Sequence, residues 1–156
     1  MEIERKFLVE TVPDLRDAAS VAIEQGYLAL ATSDGGAEVR LRRKGDELLL
    51  TIKGGTGKVR AEEELELDRE RFDSLWPLTA GRRVSKRRHL IGLDRLTVEL
   101  DVYEGELEGL VVAEIEFADE AQADGFEPPP WLGRELTGDQ RYLNERLATS
   151  GIPEPG

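Results

Sequence analysis

The sequence predicts a mainly β, α+β protein: a closed antiparallel barrel of eight strands with charge inside and a few helices outside, one of them C-terminal. Three observations predict it. Period-2 alternation runs through most of the chain, the spacing of a strand with two unlike faces. Short turns rich in glycine and aspartate separate many of the alternating runs, so neighbouring strands should pair antiparallel. Nearly every run carries charge on one face and apolar side chains on the other, and there are few helices to cover an open sheet of that size. A closed barrel accounts for both faces. The plainer alternative is a half-buried sheet with salt bridges on its wet side.

The expected strands are 2–9, 21–31, 37–44, 46–53, 58–67, 82–91, 95–103 and 109–117. Asp34-Gly35-Gly36, Gly45-Asp46, Gly54-Gly55-Thr56-Gly57 and Glu104-Gly105 supply the turn chemistry. Pro13–Ala19 reads as one or two helical turns. Asp68–Trp76 reads as a helix with Phe72, Leu75 and Trp76 on one side. Asp139 reads as the N-cap of a helix over Gln140–Ser150, which Gly151 stops. Phe126–Leu132 holds three prolines and reads as a fixed loop. The expected organisation is a single domain over residues 1–150 with a C-terminal tail, 151–156.

Composition narrows the function. The chain has 156 residues, enough for one core. Its net charge of -12 argues against general nucleic-acid binding, because phosphate backbones reward basic proteins. A basic pocket inside an acidic shell remains compatible with that charge. Without cysteine there is no disulfide, thiolate metal site or cysteine nucleophile. The start MEIERK is too acidic for a signal peptide, and no apolar run is long enough to span a bilayer. The expectation is a cytoplasmic protein with no membrane partner.

The charged faces carry the chemistry. In EIERKF, Glu2, Glu4 and Lys6 share a face. VRLRRK adds Arg40 and Arg42, LTIK adds Thr51 and Lys53, and VRAEEELEL adds Arg60, Glu62, Glu64 and Glu66. VSKRRHL adds Lys86 and Arg88, LTVELDVY adds Glu99, Asp101 and Tyr103, and VVAEIEF adds Glu114 and Glu116. Like charges at i and i+2 repel, and packed into a lumen they are costly without a compensating ligand. Carboxylate pairs offer hard oxygen ligands for Mg²⁺ or Mn²⁺. Arginine forks and lysine point charges suit phosphate oxygens. A polyphosphate carrying divalent metal satisfies both groups at once.

The opening EIERKF is similar to the ExExK motif of the triphosphate tunnel metalloenzymes, the CYTH superfamily. The resemblance continues in order through QGYL, VRLRRK, LTIK, the EEE segment, KRR, EIEF and LTGDQRYLNERLA, and so covers almost the whole chain. It implies an eight-stranded antiparallel tunnel that hydrolyses triphosphates with divalent metal, two Mg²⁺ or Mn²⁺ ions. Glu2 and Glu4 match its metal-binding carboxylates. Glu114 and Glu116 match a second pair that serves metal or the attacking water, and Glu62 and Glu64 an acidic pair after the central bases. Lys6, Arg40, Arg42, Lys53, Lys86 and Arg88 match the bases that hold phosphates. Tyr27 falls where relatives place a tyrosine near the substrate, and Lys6, near it, joins in positioning or proton transfer. Asp139 and Tyr142 fall near one tunnel mouth.

Within that superfamily the opening and the closing LTGD-RY-N segment look more like the bacterial inorganic triphosphatases. The expected reaction is hydrolysis of tripolyphosphate to pyrophosphate and phosphate by a monomer or homodimer. Class IV adenylate cyclase, thiamine or nucleoside triphosphatase, and a non-catalytic polyphosphate-binding module are the alternatives. Aromatic residues make up only 6% of the chain and do not cluster, which disfavours an organic substrate.

Other features read as structural. His89 lies off the Lys86/Arg88 face. GGTGKV lacks the first glycine of a phosphate loop and reads as a hairpin turn. Trp76 and Trp131 read as packing residues. Arg87 has the wrong parity for the lumen, and Arg60 suits an ion pair as well as a phosphate contact. Glu38, Glu66 and Lys44 share the lumen parity but sit near strand ends. Glu99 reads as a partner that holds the bases in place, and Asp101 as a partner or a ligand.

Overall fold

The computed structural model describes residues 3–30, 36–54 and 61–154. Glu2, residues 31–35 with Asp34 and Gly35, and residues 55–60 with most of GGTGKV and Arg60 lie outside them. Eight strands form one sheet: β1 (Ile3–Leu8), β2 (Ala19–Ala29), β3 (Glu38–Lys44), β4 (Glu47–Gly54), β5 (Ala61–Glu66), β6 (Arg83–Leu93), β7 (Leu96–Tyr103) and β8 (Val111–Phe117). Their order across the sheet is β1-β8-β7-β6-β2-β3-β4-β5, and every pairing is antiparallel. The helices are α1 (Arg69–Leu75), α2 (Glu120–Gly125) and α3 (Asn144–Ser150).

The registers follow the alternation. Arg88 faces Asp101, Lys86 faces Tyr103, Lys6 faces Glu114 and Tyr27 faces Arg40 across their ladders. Charged rows therefore fall on one face and Phe7, Val98, Leu100, Ala113 and Ile115 on the other. A bulge between Tyr27 and Ala29 shifts the register with β3. It leaves Tyr27 on the charged face, opposite Arg40, and adds local twist.

The apolar outer face is where the main core sits. Phe7, Leu100, Ala113 and Ile115 are fully buried there, each large side chain contributing roughly 1.5–3 kcal/mol on leaving water. Ala123 of α2 and the loop residues Phe126, Trp131 and Leu132 cover this face. Arg5 fastens the cover. Its guanidinium donates to the carbonyls of Ala123 and Phe126 and forks onto Glu135 at 2.6 and 3.0 Å. Near β2 a 3-10 turn, Trp76–Thr79, packs so close that a Cβ on Gly26 would meet Thr79 Oγ1 at 2.5 Å. Trp76 stacks on Phe72 of α1 and lies under Arg83, so it is a packing residue.

The expected closed barrel is not completed by strand pairing: among the described residues no ladder joins β5 to β1. Instead residues 133–137 run along the outer edge of β1. Gly133 N–H donates to Leu8 O, Leu8 N–H to Arg134 O, and Leu136 N–H to Lys6 O. A Cβ on Gly133 would stand 2.6 Å from Leu8 O. An otherwise open edge is thus paired.

Two helical expectations need correction, and one helix goes beyond them. Residues 13–18 hold only a turn, in which Asp14 accepts from the backbone and side chain of Arg16, and Ala19 opens β2. Helix α2 was not foreseen. Residues 140–150 are not one helix: Gln140–Tyr142 forms a 3-10 turn, Leu143 is extended at ψ 141°, and α3 follows. Asp139 does cap, but it caps the 3-10 turn, accepting from Arg141 N–H. Helix α3 packs on the charged face. Its Leu147 meets Val84, Tyr103, Val112, Leu136 and Tyr142, an apolar floor at one end of that face.

Candidate active site

Side chains of β2, β3, β6 and β7 converge on the charged face next to that floor. Asp101 is buried at their centre. It accepts from Lys86 Nζ at 2.7 Å and takes both arms of Arg88 at 2.8 and 3.0 Å. Glu99 also meets Arg88. Lys86, 1% exposed, lies 5.3 Å from the Tyr103 ring centroid. The Tyr103 hydroxyl donates to Asn144 Oδ1 at 2.6 Å, tying α3 to the floor of the site.

Arg40 and Arg42 complete the cluster without any carboxylate in ion-pair range among the described residues. Arg42 Nε donates to Gln25 Oε1 at 2.9 Å, and Gln25 Nε2 donates to the Tyr27 hydroxyl at 2.6 Å. Arg40 Nε is buried with no hydrogen-bond partner. Four buried or half-buried bases thus surround one buried carboxylate.

The titration behaviour follows from this crowding. Burial, with Arg40 and Arg88 nearby, lowers the Arg42 pKa to about 10. Burial lowers Lys86 to about 8, although Asp101 works the other way. Burial is the largest single influence on Arg88 and opposes its charge, but the hydrogen bonds to Asp101 together with the charges of Asp101, Glu99 and Glu114 outweigh it and hold its pKa above the ordinary value. Asp101 would be raised by burial, yet Lys86 and Arg88 hold it below the usual carboxylate range. Burial and then Glu38 push Tyr27 up to about 12, so its phenol stays protonated at neutral pH.

The acidic residues gather on the neighbouring strands. Glu4 of β1 faces Glu116 of β8, and Glu114 faces both Lys6 and Glu99. Glu62 and Glu64 lie on exposed β5, Glu62 3.9 Å from Lys53 and Glu64 3.5 Å from Thr51 Oγ1. Among the described residues no three carboxylates converge closely enough to hold an ion by themselves. The donor set nevertheless suits a hard cation. Like-charged carboxylates directly opposite each other are unfavourable unless something positive lies between.

Lys6 is placed by its backbone. Its N–H donates to Thr137 Oγ1 and its carbonyl accepts from Leu136. Its Nζ reaches Tyr142 O at 3.3 Å, beside a cavity of about 120 Å³ lined by Glu4, Lys6 and the Leu136–Gln140 turn. No hydrogen bond joins Lys6 to Tyr27, whose strands are separated by β8, β7 and β6. Lys86, Arg88, Arg40, Arg42 and Tyr27 come together, with Glu114 beside Arg88. Lys53, Glu62 and Glu64 stay on the far side of the sheet order, and Glu2 lies outside the described residues. His89 and Arg87 are outside the cluster, Arg87 donating to Ser20. Sequence reasoning passed over Gln25 and left Asp101 undecided. The parity of Gln25 with Tyr27 was the available signal.

An antiparallel sheet curled around a buried basic cluster, with facing carboxylates along one side, defines a β-tunnel protein built for a polyanion. The CYTH domain matches residues 1–149, and the chain belongs to that family. It is 47% identical over 150 residues to an inorganic triphosphatase of Nitrosomonas europaea, covering 96% of this chain and 97% of that one. It is 40% identical over 148 residues to an inorganic triphosphatase of Acetivibrio thermocellus, covering 94% and 92%. Among solved structures, the crystal structure of an inorganic triphosphatase, 44% identical, superposes with a TM-score of 0.80 over 99% of this chain and 97% of that one. No helix of the described residues is long and apolar enough to cross a membrane.

Proposed function

We propose that this protein is a metal-dependent triphosphatase that hydrolyses inorganic tripolyphosphate to pyrophosphate and phosphate. The observation that carries this reading is the basic cluster, in which Arg40 and Arg42 have no carboxylate in ion-pair range among the described residues and Arg40 Nε is buried with no hydrogen-bond partner among them. A buried guanidinium donor left unpaired costs stability, and a phosphate oxygen supplies what it lacks. The names of the Nitrosomonas and Acetivibrio relatives point to the same substrate.

Arg40, Arg42, Lys86 and Arg88 hold the phosphate chain and take up the charge that grows on its oxygens as the anhydride breaks. Lys53 and Lys6 extend the grip toward the two ends. Glu4, Glu114 and Glu116, with Glu2, Glu62 and Glu64, are the residues that would hold metal. Two Mg²⁺ or Mn²⁺ ions would supply charge neutralisation on the phosphates and acidify the attacking water. Glu114 or Glu116 takes the proton from water as its oxygen attacks the terminal phosphorus, and pyrophosphate departs with the bridging oxygen. Tyr27, protonated, donates toward the substrate. The protein works in the cytoplasm on this small molecule, as a monomer or homodimer, and its net charge of -12 keeps nucleic acid away.

The test is phosphate release with Mg²⁺ or Mn²⁺ from tripolyphosphate, ATP, thiamine triphosphate and pyrophosphate side by side, with cyclic AMP assayed in the ATP sample. Preference for tripolyphosphate is expected. Cyclic AMP would assign it to cyclase chemistry. Tight tripolyphosphate binding without turnover of any of them would make it a binding module.

A further inference from the structure

We propose that Gln25 is a positioning residue that fixes the direction of two donors, the Tyr27 hydroxyl and the Arg42 guanidinium, toward the bound phosphate. The inference rests on the anion reading of the tunnel and adds a residue that the reading does not assign.

The argument starts from donor and acceptor inventory. Gln25 is 0% exposed and lies on the charged face of β2. Arg42 Nε is a donor and has no lone pair to offer, so the Gln25 group facing it at 2.9 Å is the carbonyl oxygen. The amide nitrogen is then left for the Tyr27 hydroxyl at 2.6 Å. An amide nitrogen has no acceptor capacity, so the Tyr27 oxygen must accept. Its own proton therefore points away from Gln25, and no described acceptor takes it. Arg40, opposite Tyr27 in the ladder, has a buried Nε that is likewise unpaired. Two donors without acceptors thus lie side by side on the face that carries the basic cluster. On the other side, Gln25 takes up one donor of Arg42 and sets the plane of the remaining fork. A single neutral side chain settles both orientations without adding charge to a crowded basic site.

The test uses the full chain with tripolyphosphate. Steady-state KM and kcat with Mg²⁺, and calorimetric affinity without it, are measured for the native protein, Gln25→Met, Gln25→Glu, Tyr27→Phe and the two Gln25 variants combined with Tyr27→Phe. Gln25→Met keeps the length and removes both partners. Gln25→Glu keeps the acceptor for Arg42 but also accepts the phenolic proton, turning it away from the substrate. Tyr27→Phe is expected to weaken affinity about tenfold in the native background, the scale of one hydrogen bond to a charged group. In either Gln25 background the same change is expected to cost less than about twofold, because the proton is no longer aimed. Gln25→Met is expected to raise KM more than Gln25→Glu does, through the loosened Arg42. An equal Tyr27→Phe penalty with and without Gln25 overturns the proposal, as do Gln25 variants with native KM and affinity. Gln25→Glu serves if Gln25→Met does not fold. A native protein that neither binds nor cleaves tripolyphosphate refutes the function itself, a different result from native binding that is indifferent to Gln25.

Discussion

Replacing Asp101 with asparagine removes the one buried negative charge among four bases. The carboxylate makes three short contacts, one to Lys86 and two to Arg88, and is 5% exposed. Breaking a buried pair from one side costs about 3–5 kcal/mol because an uncompensated charge stays behind. Asparagine keeps one oxygen as an acceptor, so the lower end applies, about 3 kcal/mol. For a chain of this size that is a fall in Tm of about 6–12 °C. The assay is thermal unfolding by circular dichroism without phosphate, at several pH values. In the native protein burial holds the Lys86 pKa at about 8, below the ordinary lysine value of 10.5. Between those values the unfolded chain binds more protons than the folded one, so the contribution of this group to stability rises with pH from about 8 to 10.5. Asp101 raises the Lys86 pKa, so without it that window must open at lower pH. A tripolyphosphate-induced rise in Tm should be larger in Asp101→Asn than in the native protein, since the ligand returns the missing charge. A Tm within about 2 °C of native, or an unchanged pH window, would refute the reasoning.

Three further outcomes follow from the same geometry. Arg40→Met should leave the ligand-free protein as stable as native or more so, and weaken tripolyphosphate binding tenfold or more, read by melting and calorimetry. Glu4→Gln combined with Glu116→Gln should leave the chain folded, read by melting, while phosphate release with Mg²⁺ or Mn²⁺ is lost. Above pH 8, tripolyphosphate binding should take up protons as the polyanion recharges Lys86. Calorimetry in buffers of different ionisation enthalpy measures that uptake, and Lys86→Arg should abolish it.

The strands were legible because a period of two assigns every side chain to a face. Arg87 and Arg88 are neighbours in sequence, yet one donates to Ser20 and the other to Asp101, as parity requires. Of the short helices, α1 was legible from its Asp68 cap and its Phe72, Leu75 and Trp76 side, whereas α2 and the break before α3 were not. In α2 only Ala123 is buried, so EAQADG has no apolar period to betray it. The break at Leu143 was hidden because Gln140–Ser150 has good helix composition, whereas Tyr142 and Leu147 must both reach the same apolar floor. Within the site, faces could be read but partners could not. Which carboxylate meets Lys86 depends on the register of β6 with β7. The pairing of Lys6 with Glu114 joins strands from opposite ends of the chain. Gln25 was passed over for another reason: a charge pattern does not register a neutral amide, and only its parity with Tyr27 marked it.

The two faces of the sheet carry opposite energetic loads. The outer layer, with Phe7, Leu100, Ala113 and Ile115 buried under α2 and the 126–132 loop, gains free energy by leaving water. The inner face spends part of that gain. Arg40 and Arg42 have no carboxylate in ion-pair range among the described residues, Arg40 Nε is buried with no partner among them, and burial works against the charges of Arg42 and Lys86. Such a face is least stable when empty, so its ligand must stabilise the fold. At a concentration one hundred times Kd the linkage is about 2.7 kcal/mol, or roughly 5–11 °C in Tm. The same asymmetry separates two kinds of substitution. Ala113→Ser in the outer layer should lower stability and leave the chemistry of the surviving folded molecules unchanged. Neutral substitutions of inner-face bases that have no carboxylate in ion-pair range among the described residues, Arg40→Met foremost, should keep or raise stability and lose function, unlike Asp101→Asn, which breaks a buried pair. A protein whose inner face served only to hold the fold together would show the reverse.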